Sequence, residues 1–326
     1  MAMNAPEQTF VQDQRDLQIR FREESDTFTS EGKQAGKIGR KTYPFAIPQG
    51  LWAENLCPSI REDAARYFTD RRIAWHRMRN HLLSSQICCL NFLMPFATRP
   101  GALAALLRPT FGDIEMLPVE DERYVAFEWI GASDYLNEGR GPNRTRTRGA
   151  NCTSSDAALK FRDANGVVTL ALIEWKFTEA YGSPPDFKRE EERLRRYREI
   201  AFDPEGPLRP SPDFELSDLF YEPFYQFLRQ QMLAFRVRQA GEGGCNHGLL
   251  LHIAPKANVG FQRITAPKFA SFNGSAVTLW RSLLTRPDDF RSVTTGDLFG
   301  AFDVSRCPDL QGWHDYIRER YGSLLV

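Results

Sequence analysis

The chain has 326 residues, enough to bury a full α/β core and carry one sizeable extension. Its 42 Lys and Arg are balanced by 42 Asp and Glu, so no net field draws the molecule toward a polyanion and any nucleic-acid surface has to be local. Six cysteines without paired CxxC spacing argue against a disulfide or zinc framework and for a reducing, cytoplasmic compartment.

The N-terminus has no apolar signal core, and the run 87–96 is too short and too interrupted to span a bilayer, so no membrane partner is expected. Residues 1–50 are polar, with a Gly/Lys-rich tract at 32–41 that reads as extended or poorly ordered. Across 59–96 apolar residues recur at helical spacing (Tyr67, Ile73, Trp75, Met78, Leu82, Ile87), which predicts one or two helices. A short helix over 102–107 follows, and the aromatic and β-branched run 124–130 predicts a first strand.

Residues 140–149 are rich in glycine and arginine, lack apolar periodicity and read as an exposed loop. In 154–162 Ala157, Leu159 and Phe161 alternate with Asp156, Ala158, Lys160 and Arg162, as in a half-buried strand. Asn165-Gly166 is a strong hairpin signal, and the returning run 167–177 is apolar on both parities, as in a central strand covered on both faces. Pro184-Pro185 ends the hairpin. A charged helix over 186–200, an amphipathic helix over 218–239 closed by glycines, and a short apolar strand at 249–253 come next. A crossover through a helix favours parallel pairing of that last strand.

The organisation expected is a polar N-terminal extension (1–58), a core (59–256) and a C-terminal extension packed on it (257–326). Its class is α/β: a four-stranded mixed sheet flanked by helices.

Two opposite charges, Glu174 and Lys176, stand near the end of the hydrophobic central strand. Burying charge there costs several kcal/mol per ion, on the order given for real proteins, unless it is paired or bound to a metal. The two residues share a face, so an acid and an amine border one space. Whether Asp156 joins them depends on the turn. A two-residue turn at Asn165-Gly166 sets Asp156 opposite Trp175, on the wrong face, whereas a three-residue loop with Gly166 in the left-handed position sets it opposite Glu174. The chemistry requires the second register. Two carboxylates about 5 Å apart repel unless a hard cation lies between them, which suits Mg²⁺ or Mn²⁺. A metal-polarised phosphate, an activated water and a lysine near both describe phosphodiester hydrolysis.

The acid Asp156 on one strand and Glu174-Trp175-Lys176 on the next resemble the signature of the PD-(D/E)XK nucleases. The segments HLLSSQICCLN (81–91), FEWI (127–130), TSSDAAL (153–159) and IEWKFTEAY (173–181) are similar to a bacterial family of restriction-endonuclease-like proteins, over roughly residues 75–255. The resemblance implies a restriction-endonuclease-like αβββαβ core and metal-dependent DNA cleavage, with Asp156, Glu174 and Lys176 catalytic and Asp156 and Glu174 ligating the metal. Two positions depart from the pattern. Ser155 stands where the name-giving proline would, and no carboxylate marks the first core helix, which leaves Glu128 on the first strand as the third ligand.

Glu31-Gly32-Lys33 also matches ExK, but in a polar tract with no strand. Arg140, Arg144, Arg146 and Arg148 stand within nine residues with no acid among them, as a phosphate-tracking or a merely solvated loop would. Gln226 and Gln230 lie one turn apart on the long helix with Arg229 beside them, where they could contact a backbone or base edge. Together Arg144, Arg146, Arg148, Arg229 and Gln230 form the expected nucleic-acid-binding set. The five histidines lack zinc-site spacing and read as structural. The function expected is a Mg²⁺-dependent endonuclease on DNA, for which a homodimer would suit a double-strand cut. The alternatives are a catalytically silent nucleic-acid- or protein-binding module on the same fold, and a nuclease acting on RNA, branched or single-stranded substrates.

Overall fold

The computed structural model describes residues 5–182 and 185–326, so the expected break at Pro184 lies outside the described residues. The chain enters through helix α1 (Ala5–Glu24) and a short hairpin of β1 (Gly36–Ile38) and β2 (Lys41–Tyr43). Helices α2 (Arg61–Asp70), α3 (Ser85–Leu93) and α4 (Pro100–Phe111) follow. Strands β3 (Ile114–Leu117), β4 (Val125–Trp129), β5 (Ser155–Asp163) and β6 (Val168–Trp175) come next. Helices α5 (Glu190–Ala201) and α6 (Phe224–Ala240) then cross over to β7 (His247–Ala254). Helix α7 (Ala276–Leu283), strand β8 (Phe290–Thr294) and helix α8 (Gln311–Tyr321) complete the fold.

The main sheet is mixed and has six strands, not the four expected. Strands β3 and β4 lie end to end along one edge of β5, both antiparallel to it. β5 and β6 form the antiparallel hairpin, and β6, β7 and β8 run parallel. Of the two extra strands, β3 escaped the pattern because it is only four residues long and half-exposed, and β8 belongs to the C-terminal extension. Helices flank both faces, as a sheet apolar on both parities requires. Ala157, Leu159, Ile173, Trp175 and Leu251 belong to a core shared with α2, α3, α4 and α8. Their neighbours Ala158, Leu172 and Leu250 belong to a second core with α5, α6 and α7.

The tract at 32–41, expected to be extended or poorly ordered, contains β1 and the start of β2 in the β1–β2 hairpin. Residues 5–24 of the same polar stretch form a helix not foreseen from the sequence, with a buried face that includes Phe10, Gln14, Gln18 and Phe21. The two glutamines hid its periodicity. They are buried against the end of the chain, where Gln18 donates to the Arg320 carbonyl at 3.0 Å and accepts from the Arg320 guanidinium at 2.8 Å. Of the one or two helices expected across 59–96, two form, and residues 71–84 make a loop between α2 and α3 in which Arg72 takes a left-handed φ of 52°. Ser84 then caps α3 by accepting from the Ile87 amide.

The β5–β6 turn is the three-residue loop Ala164-Asn165-Gly166. Asp163 closes it by main-chain bonds to Gly166 and Val167 and by its carboxylate, which accepts from the Asn165 and Val167 amides at 2.9 Å. Gly166 sits at φ 82°, the backbone this loop demands. The register follows, with Ala157 against Ile173, so the next pair outward sets Asp156 opposite Glu174.

Candidate active site

One row of side chains crosses four strands near the end of the hairpin. β4 pairs Phe127 with Ala157 and Trp129 with Ser155, which places Glu128 across from Asp156. Asp156 lies across from Glu174, and Glu174 is paired with His252 of β7. Three acids and a histidine therefore occupy successive positions at right angles to the strands.

Glu174 and Lys176 are buried together, 6% and 5% exposed, and Lys176 Nζ lies 2.6 Å from Glu174 Oε1. The same ammonium donates to Gln226 Oε1 on α6. The Lys176 amide continues the parallel ladder to the Ile253 carbonyl at 2.8 Å, which fixes the root of the side chain. Burial works against this ammonium, but Glu174, with Tyr181, Glu179 and Asp156 behind it, outweighs that and holds the Lys176 pKa well above its usual value.

The other two acids are driven the opposite way. Asp156 is half-buried and accepts from the Trp175 amide at 2.7 Å. Desolvation first, and the negative charge of Glu174 second, raise its carboxyl well above the ordinary range. Glu128 is buried and pushed up to about 7, mainly by desolvation, with Glu174 adding to it and a 2.6 Å hydrogen bond from Gln86 opposing it. Lys176 for Asp156, and Arg148 for Glu128, oppose these shifts without cancelling them.

Glu128 also breaks the strand's alternation. Val125 and Phe127 belong to the core on the α3 side, whereas Trp129 belongs to the core on the α6 side. The reversal falls at Glu128, whose φ is 50°, a left-handed backbone that costs on the order of 1–3 kcal/mol. Its carboxylate is consequently held from α3 by Gln86, while the ammonium beside Glu174 is held from α6 by Gln226. The acid missing from the first core helix is thus answered by an amide, Gln86, at 2.6 Å from Glu128. Gly149, at φ 74°, passes so close that a Cβ there would lie 2.7 Å from the Ala74 carbonyl oxygen and 3.3 Å from Glu128 Cδ.

Three arginines of the loop have protein partners. Arg144 pairs with Asp134 at 2.5 Å, and Arg146 donates to the carbonyls of Ile130, Gly131 and Ala132. Arg148 reaches Glu120 at 2.7 Å, the Tyr67 hydroxyl and the carbonyls of Phe127 and Glu128. These guanidiniums pin the loop to β4 and its surroundings, because carbonyls left bare at the irregular strand end need donors. Gln230 is likewise buried, donating to the Ser154 carbonyl at 2.8 Å and so locking α6 to the start of β5. Arg146 and Arg229 are the arginines of the expected binding set with no described acid at ion-pair distance, and Arg229 also lacks the carbonyl partners that Arg146 has.

Several residues join the site that the sequence did not single out. His76, read as structural, lies with Nε2 3.5 Å from Glu128 Oε1 and is 43% exposed. The loop between α2 and α3 lets it reach there, and the helical spacing of apolar residues across 59–96 hides that loop. His252 is buried among Phe227, Phe261 and Phe290, its Nδ1 2.9 Å from Ser292 Oγ. Burial, and secondarily Lys176, push its pKa down to about 3, so it is neutral at pH 7. Glu222 and Tyr181 complete the α6 side, the Tyr181 hydroxyl lying 3.5 Å from Gln226 Oε1.

Among the described residues no three His, Cys, Asp or Glu side chains are placed to hold one ion together, so Asp156, Glu174 and Glu128 do not form a closed cage. The donor set still fits a hard divalent ion. Mg²⁺ keeps most of its waters and needs one or two carboxylates, which Asp156 and Glu174 supply from adjacent strands. Two further observations concern the described residues. All six cysteines are free thiols, and no described helix is long and apolar enough to cross a membrane.

A protein-family model with the description "Restriction Endonuclease associating with ARP" matches residues 18–322. No curated protein and no solved structure matches the chain.

Proposed function

This chain belongs to the family of restriction endonucleases associating with ARP, and on that footing we propose that it hydrolyses phosphodiester bonds of DNA at the row formed by Asp156, Glu174 and Lys176. The observation that carries the reading is the β5–β6 register, which puts two carboxylates opposite each other at the end of a buried strand with a lysine two residues on. The match with the strand positions of the PD-(D/E)XK signature supports it further.

Asp156 and Glu174 would hold Mg²⁺ or Mn²⁺. When bound, the ion supplies Lewis acidity to a phosphate oxygen and acidity to a water. Lys176 stays an ammonium through the working pH range. Two of its three N–H donors go to Glu174 and Gln226, and the third is left for the attacking water or a non-bridging phosphate oxygen. Gln226 thereby positions Lys176 and does not itself touch the reacting atoms. His252, neutral and walled by aromatic rings, keeps water away from the far side of Glu174.

A second reading, a DNA-binding module without turnover, is favoured by one observation: the three acids do not close around a single point. One assay separates the two. Supercoiled plasmid is incubated with purified protein and Mg²⁺, beside Lys176→Ala and an EDTA control. Nicking by the wild type alone is the expected result. Equal nicking by Lys176→Ala overturns the site, and binding without nicking selects the second reading.

A further inference from the structure

We propose that a pocket beside the catalytic row binds a non-scissile phosphate of the nucleic-acid strand, held by Arg140, Arg193 and Arg229. The inference rests on the nucleic-acid reading of the site. The pocket has a volume of about 510 Å³ and is lined by five arginines, Arg140, Arg189, Arg193, Arg196 and Arg229, in a chain whose formal charge is zero. Its two acids are already occupied. Glu192 pairs with Arg196 at 2.5 Å, while Glu138 accepts from both the amide and the hydroxyl of Thr153 and from the Tyr197 hydroxyl. No described carboxylate lies within ion-pair distance of Arg140, Arg193 or Arg229.

Two of these free cations stand on one aromatic ring. The Arg193 guanidinium lies 4.4 Å from the Tyr225 ring centroid and that of Arg229 lies 4.7 Å from it. Arg229 has only a 3.4 Å contact to Thr153 Oγ1, and its Nε, closed to solvent, has no hydrogen-bond partner. Like charges gathered with donors unused are complementary to an anion, and planar guanidinium forks suit phosphate oxygens.

Position argues for a strand phosphate. Arg229 follows Gln226 by three residues on α6, a rise of about 4.5 Å, and Gln226 holds Lys176. Gln230 ties the same turn of α6 to Ser154, two residues before Asp156. The pocket and the catalytic row are thus joined by one helical turn, and a strand crossing the row would place a neighbouring phosphate against the arginines.

The test uses the full chain in EDTA, where binding is read without turnover and independently of whether the protein is a nuclease. Anisotropy of a labelled duplex is followed against salt for wild type, for Arg140→Gln/Arg193→Gln, and for Arg281→Gln on α7 as a remote control. Arg140 is exposed and Arg193 partly so, and unchanged circular dichroism checks their folding. The expected result is roughly tenfold weaker binding for the double variant and a salt slope shallower by about 1, the signature of one lost phosphate contact. Inorganic phosphate should also raise the melting temperature of wild type and not of the double variant. Phosphate stabilisation with unaltered DNA binding would assign the pocket to a free anion and overturn the proposal. So would equal weakening by Arg281→Gln, or no change in any readout.

Discussion

Lys176 Nζ and Glu174 Oε1 lie 2.6 Å apart in a space almost closed to solvent, on a strand that is otherwise apolar. Each group makes the other tolerable. Removing the lysine alone strands a buried carboxylate, which costs about 3–5 kcal/mol. Lys176→Ala should therefore lose both nicking activity and stability in urea, and Glu174→Gln/Lys176→Met should recover most of the stability without the activity. A double variant as unstable as Lys176→Ala would show that the pair is held by something other than their mutual charge.

The raised Glu128 carboxyl gives a pH dependence of definite sign. Its folded value of about 7 exceeds the ordinary 4.5, so the folded state binds its proton more tightly. The stability it contributes is complete below about pH 4.5 and is lost as pH rises through 7, by about 3 kcal/mol in all. Without divalent ions the melting temperature should fall between pH 5 and pH 8, and Glu128→Gln should flatten that fall. His252 acts at the other end. Its folded value of about 3 lies below 6.5, so its contribution is present above 6.5 and lost as pH falls toward 3.

Mg²⁺ should stabilise the protein if Asp156 and Glu174 hold it. At one hundred times its dissociation constant the gain is about 2.7 kcal/mol, and chelation with EDTA should reverse it. Asp156→Asn should abolish the shift in calorimetry while leaving the ion-free melting temperature unchanged or higher, because a crowded charge is gone. A full Mg²⁺ shift in Asp156→Asn would place the ion elsewhere.

Arg148 should behave as a brace. Arg148→Ala removes donors from Glu120, Tyr67 and two strand carbonyls, and a loss of about 3 kcal/mol in denaturant is expected. Its salt slope for DNA binding should stay that of the wild type. A shallower slope would return Arg148 to the nucleic-acid surface.

Gly166→Ala should cost about 1 kcal/mol, since φ 82° is strained for any residue with a Cβ. Deleting Ala164 should be more informative. A loop one residue shorter turns Asp156 to the opposite face from Glu174, so activity should vanish.

Much of this architecture was legible because local chemistry and long-range pairing agree at the hairpin. The period-2 pattern of β5, the apolar run of β6 and the Asn165-Gly166 signal mark the hairpin but leave two registers open. The charges at Glu174 and Lys176 select between them, and the observed register brings Asp156 to Glu174. The N-terminal helix was hidden because its buried face includes glutamines whose partners lie some three hundred residues away. Arg146 and Arg148 looked free because sequence does not display the carbonyls they serve. His76 and Gln86 were invisible for a related reason: nothing local indicates that a loop and a helix start converge on one strand acid.

The left-handed backbone at Glu128 has an evolutionary corollary. Glycine would relax that position, so a screen that rewards heat resistance alone should repeatedly discard this glutamate. Retention of the acid in heat-selected descendants would require a second pressure, and the natural candidate is the work done by the row it adjoins.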